Sequence, residues 1–100
     1  MQRRTVGIKP RSKKRAALMP ERNAFTAALI AEHPVCQLAS PLCTGAATVA
    51  DEYIKRSHGG QIVPNEKSEK QGQKWFAACV LCNGYKEDHP QWAREMGLTP

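Results

Sequence analysis

Four cysteines, Cys36, Cys43, Cys79 and Cys82, limit what this chain can fold into more than any other feature of its sequence. A chain of 100 residues buries too little apolar surface for its core alone to leave a wide stability margin, so a covalent or metal staple is expected. The cysteines can supply it as two disulfides or as one metal site. The N-terminal run MQRRTVGIKPRSKKR has no apolar segment behind its basic residues, and no apolar run approaches the length of a membrane span. These features predict a cytoplasmic protein with no membrane partner. In a reducing compartment, paired cysteines are more often metal ligands than disulfides.

The spacing also points to a metal. Cys79-x-x-Cys82 is a knuckle in which a tight turn sets two sulfurs at the separation that tetrahedral Zn²⁺ requires. Six residues separate Cys36 from Cys43, so that half-site needs a longer loop, restrained by Pro41. A redox pair needs only one CxxC and leaves the other two cysteines idle, and buried free thiols are the remaining alternative. Four sulfurs leave no open coordination position, which makes the predicted Zn²⁺ structural. Zinc binding of this kind is worth about 10–16 kcal/mol near neutral pH, more than the folding margin of so small a chain, so metal and fold are expected to be inseparable.

Charge is unevenly placed. Arg3, Arg4, Lys9, Arg11, Lys13, Lys14 and Arg15 put seven positive charges in the first fifteen residues without one acid, whereas residues 16–100 carry eight basic and nine acidic groups. Attraction to phosphate therefore resides in residues 1–15, which read as a flexible basic arm broken by Gly7 and Pro10. A solubilising tail is the plain alternative. Only Phe25 among the six aromatic residues precedes Cys36, which assigns the packed part to the C-terminal two thirds. Residues 20–32 read as a helix, with Phe25, Ala28 and Leu29 at helical spacing and Pro34 ending it, laid across the zinc module. Residues 46–54 and 75–80 read as strands that pair as a hairpin across a polar loop at 59–73. After Cys82 the chain reads as one helix or two short ones, with Pro90 in a first turn and Gly97 as a stop.

The SKKRA run, HPVC, CTGAAT leading into a strand, the RSHGG turn, the CxxCN knuckle and the closing DHPxxAxxxGL occur here in an order that resembles the HNH, or ββα-metal, endonucleases, in particular small phage-encoded members. The resemblance implies an α+β fold, a zinc-stabilised ββα-metal, treble-clef-like domain over residues 16–100 with an N-terminal helix and a basic arm. It implies a metal-dependent DNA endonuclease or nickase that hydrolyses phosphodiester bonds, with DNA and phage packaging or recombination proteins as partners in a bacterial host cell. In that family the strand ends in His-His or Asp-His, the first binding a divalent ion and the second activating water, and the helix after the last cysteine returns another ligand. Aligned on Arg56-Ser57-x-Gly59-Gly60, these places fall on Asp51, Glu52 and Asn83.

Asp51 and Asn83 offer hard oxygens suited to Mg²⁺ or Mn²⁺, and Glu87, one helical turn after Asn83, either adds another or stays solvated. Glu52 is the departure, because a carboxylate near pKa 4.3 is a poorer base at neutral pH than an imidazole near 6.5. His58 in the turn is a candidate substitute, and Arg56 joins the arm as a DNA contact. Asp51 and Glu52 alternate on a regular strand, so both reach one ion only through a bulge. Two functions follow: an HNH-type endonuclease with altered base chemistry, or a catalytically impaired zinc protein that binds DNA or a phage partner.

Overall fold

The computed structural model describes residues 13–100, with side chains from residue 16 onward. The chain forms helix α1 (Lys13–Glu32), strand β1 (Val49–Glu52), a 3₁₀ turn (Arg56–His58), helix α2 (Glu66–Gln71), strand β2 (Trp75–Ala78), and helices α3 (Val80–Asp88) and α4 (Pro90–Glu95). This is a small α+β architecture. No helix among the described residues is long and apolar enough to cross a membrane.

The first helix begins at Lys13 and carries Pro20 in its interior, instead of starting at Pro20. An interior proline removes one backbone hydrogen bond. Strong helix formers on its N-terminal side, Ala16, Ala17, Leu18 and Met19, keep the helix going. The face turned inward is Arg22, Phe25, Thr26, Leu29 and Ile30, at spacings of three and four, whereas Ala28 is exposed. That face packs on the sheet rather than across the cysteine module. The Phe25 ring meets the Trp75 ring edge-on with centroids 4.9 Å apart, and Arg22 donates to the carbonyls of Ala50 and Ile62 at 3.0 and 2.8 Å.

The two strands pair antiparallel, with Val49 opposite Ala78, Ala50 opposite Ala77, Asp51 opposite Phe76 and Glu52 opposite Trp75. Each is shorter than the apolar pattern suggests, and the flanking residues hydrogen-bond outside the ladder: Thr48 donates to the Ala78 carbonyl and Tyr53 to that of Lys74. After β1 the chain reverses through Gly59 and Gly60. A Cβ on Gly60 would lie 1.8 Å from the Ile54 carbonyl oxygen, so only glycine fits. Gln73 fastens this reversal by accepting from the Ile54 amide at 2.7 Å and donating to the carbonyls of Ile54 and Gln61.

The 59–73 segment is not an unstructured loop, because α2 lies inside it. Asn65 caps the helix, its side chain accepting from the Ser68 amide while its own amide donates to the Ser68 hydroxyl, each at 2.8 Å, and Gly72 ends it at φ 71°. The core is small and sulfur-rich. Leu38, Ala78, Ala93 and Leu98 cluster with Cys36, Cys79 and Cys82, and Val49, Phe76 and Trp92 pack around them.

Candidate metal centre

The tight half of the centre is also a helix start. Cys79 is the N-cap of α3, its sulfur accepting the Cys82 amide at 3.3 Å, so one turn of backbone sets both sulfurs and launches the helix. The wide half is a short antiparallel turn in which Val35 bridges Ala46 and the Cys36 amide donates to the Gly45 carbonyl at 2.8 Å. Ala39, at φ 52°, turns the chain back within it. Gln37 joins the two halves: its amide donates to the Ala77 carbonyl, and its side-chain oxygen accepts from the Ala77 amide, each at 2.8 Å.

The four sulfurs lie within 4.8 Å of one another. Zn–S bonds of ~2.3 Å put the sulfurs of a tetrahedral site roughly 3.8 Å apart, so the cluster needs little closure around an ion. Each sulfur also accepts an N–H bond: Cys36 from Cys79, Cys43 from Gly45, Cys79 from Cys82, and Cys82 from Ser40, at 3.3–3.4 Å. Donors of this kind stabilise thiolate ligands from the second shell of groups around a metal. Burial pushes the Cys82 thiol up to about 12, against the Ser40 hydroxyl and amide. Hydrogen bonds from Thr44 draw Cys79 down to about 6. Burial acts to raise Cys36 as well, but the amides of Ala39, Cys79 and Leu38 outweigh it and its thiol is lowered. The four cysteines are positioned to hold a metal ion, consistent with a structural ion such as zinc.

Beside this module, a cleft of about 680 Å³ opens over the end of β1 between α1 and α3. Asp51, Glu52, Asn83, Glu87, Arg22, Lys55 and Arg56 are among its lining residues. Asp51 and Asn83 converge there, with the Asn83 side-chain nitrogen donating to Asp51 Oδ1 at 2.8 Å. Sequence reasoning passed over Lys86. Its ammonium stands 2.6 Å from Asp51 Oδ2, and both side chains are almost fully buried. Burial raises the Asp51 carboxyl above its ordinary value, opposed by Lys86 and Asn83. The i, i+3 spacing of Asn83 and Lys86 on α3 was the available signal.

Glu52 points away from Asp51, as strand alternation requires, and no bulge interrupts the pairing. Its carboxylate lies between Arg22 at 3.3 Å and Arg56 at 3.4 Å. Glu87 pairs with Lys55 at 2.9 Å. His58 is exposed on the 3₁₀ turn and lines a different hollow, with Lys86, Pro90 and Arg94. Arg3, Arg4, Lys9 and Arg11 lie outside the described residues, and Lys13, Lys14 and Arg15 form the first residues of α1.

The residues that the resemblance gives to Mg²⁺ or Mn²⁺ do not, as arranged, fit a divalent ion. Asn83 turns its amide nitrogen toward Asp51, and the second Asp51 oxygen is held by an ammonium. No protein-family model, curated protein or solved structure matches the chain.

Proposed function

We propose that the chain is a zinc-stabilised, HNH-type DNA-binding protein, in which Cys36, Cys43, Cys79 and Cys82 hold one Zn²⁺ and the basic N-terminal segment grips the phosphate backbone. The observation that carries this reading is the segregation of charge. Seven cations stand in the first fifteen residues with no acid, whereas the cleft lining balances Arg22, Lys55 and Arg56 against Asp51, Glu52 and Glu87. A balanced cleft attracts a polyanion weakly, so affinity comes from the N-terminal segment and is independent of sequence.

A second reading, hydrolysis by the metal-dependent endonuclease that the resemblance implies, has Asp51 and Asn83 together in that cleft but requires Asn83 and Lys86 to release the Asp51 oxygens. Anisotropy titrations on duplex DNA across a salt series test the first reading. Deleting residues 1–12 removes Arg3, Arg4, Lys9 and Arg11 and is expected to lower the log–log salt slope by up to about 3.6, at ~0.9 per phosphate contact. An unchanged slope would show that the segment makes no contact. Supercoiled plasmid incubated with Mg²⁺, Mn²⁺ or EDTA tests the second reading. Nicking that requires the ion and is lost in an Asp51→Asn protein that remains folded would establish the nuclease. Nicking that increases in Glu52→His would confirm Glu52 as the displaced base.

A further inference from the structure

The Asp51 site already contains a cation. Lys86 Nζ donates to Asp51 Oδ2 at 2.6 Å and to the main-chain carbonyl of Glu52 at 2.9 Å, and the residue is 2% exposed. Phe76, the cross-strand partner of Asp51, closes another side with its ring centroid 6.0 Å from the ammonium. Asn83 completes the arrangement on Asp51 Oδ1. Both carboxylate oxygens and the neighbouring carbonyl are therefore committed to donors from α3.

A hard divalent ion needs those same oxygens. Mg²⁺ takes six oxygen ligands at about 2.0–2.1 Å in near-octahedral geometry, whereas Asp51 Oδ2 and Glu52 O are held by Lys86 and Asp51 Oδ1 by Asn83. Entry of the ion would bring three positive charges within a few ångströms unless the ammonium left. With 2% of its surface exposed, Lys86 leaves only by breaking its hydrogen bonds to Asp51 and the Glu52 carbonyl.

We propose that Lys86 is the resident cation of this site: the ammonium closes the Asp51 position to divalent ions in the native protein, and removing it creates a Mg²⁺ or Mn²⁺ site on Asp51 Oδ2 and the Glu52 carbonyl, beside Asn83. Neutralisation by lysine keeps the strand-to-helix junction intact without an exchangeable ion. The inference does not depend on DNA binding, and it separates the structural metal of the cysteine centre from a second metal that the native chain does not take.

Mn²⁺ serves as the probe, titrated into metal-loaded protein. In wild type, Mn²⁺ is expected to leave the amide resonances of Asp51 and Asn83 unbroadened, and its binding isotherm is expected to overlay that of Asp51→Asn. Lys86→Ala is expected to gain one equivalent of Mn²⁺ with a Kd at least tenfold below the roughly 1 mM of weak surface carboxylates, and Lys86→Ala/Asp51→Asn to lose it again. Lys86→Gln, which removes the charge but keeps a donor for the Glu52 carbonyl, is the second variant should Lys86→Ala fail to fold. Selective broadening at Asp51 and Asn83 in wild type would overturn the proposal, and so would a folded Lys86 variant that gains no Mn²⁺.

Discussion

Removing Lys86 by substitution to methionine leaves the buried Asp51 carboxylate without its counter-ion, and the cost follows from the geometry. At the observed 2.6 Å, the gross attraction in an effective dielectric of about 20 is about 6 kcal/mol. Desolvating the two ions costs several kcal/mol each, so the intact pair contributes little net stability. The asymmetry lies in breaking it. Lys86→Met retains the aliphatic length of the stem but strands Asp51, which is 3% exposed, and is expected to destabilise by about 3–5 kcal/mol. Lys86→Met/Asp51→Leu removes both charges and is expected to recover most of that loss. Urea unfolding of metal-loaded protein, with all four members of the double-mutant cycle at one pH, measures the coupling. A Lys86→Met cost below about 1 kcal/mol, or a double variant as unstable as the sum of the singles, would refute a buried, mutually dependent pair.

Because burial raises the Asp51 carboxyl in the fold, the residue binds its proton more tightly folded than unfolded; its contribution is therefore fully present below the ordinary carboxylate value and is lost as pH climbs from there through the raised folded value, a decline that unfolding curves should show extended to higher pH in Lys86→Met, where the lowering influence of the ammonium is gone. Metal binding at the cysteines must displace the proton from Cys82, whose thiol is pushed up to about 12, so the apparent zinc affinity is expected to weaken by roughly tenfold per pH unit for each proton displaced; a competition titration with a chromophoric chelator between mildly acidic and neutral pH checks it. Arg22→Met removes two hydrogen bonds to carbonyls and a contact with Glu52 that together bind α1 to β1 and to the segment around Ile62. It is expected to cost about 2–4 kcal/mol in urea and to speed amide exchange in α1 first, with Arg22→Lys recovering only part because an ammonium lacks the planar fork. Gly60→Ala, which places a Cβ 1.8 Å from a backbone oxygen, is expected to destabilise far more than Gly59→Ala, where space is open and only the φ of 86° opposes a side chain at about 1–2 kcal/mol.

The cysteine centre is legible from residue spacing alone, because a CxxC knuckle and a second cysteine pair have few uses in a chain this small, and the four sulfurs lie together. The antiparallel pairing of the two strands and the helix end before Pro34 are legible there too, whereas Pro90 marks a first turn without deciding between one helix and two. Helix α2 was legible in principle, since Asn65 and Ser68 form a capping box and Gly72 supplies the stop, but its polar composition conceals it from any reading of apolar periodicity. Which face of α1 is buried emerges from the packed fold, because a buried arginine takes the place that an apolar residue takes in a hydrophobic pattern: its value comes from carbonyls 28 and 40 residues away. Tertiary structure likewise decided the chemistry of Asp51. A motif places a carboxylate at the end of a strand, but whether its partner is an exchangeable ion or an ammonium depends on the register that sets Asp51 opposite Phe76 and on the helix that brings Lys86 over it from 35 residues away. Electrostatic partners are chosen by distance in space, and sequence spacing fixes that distance only within a turn, a helix or a knuckle.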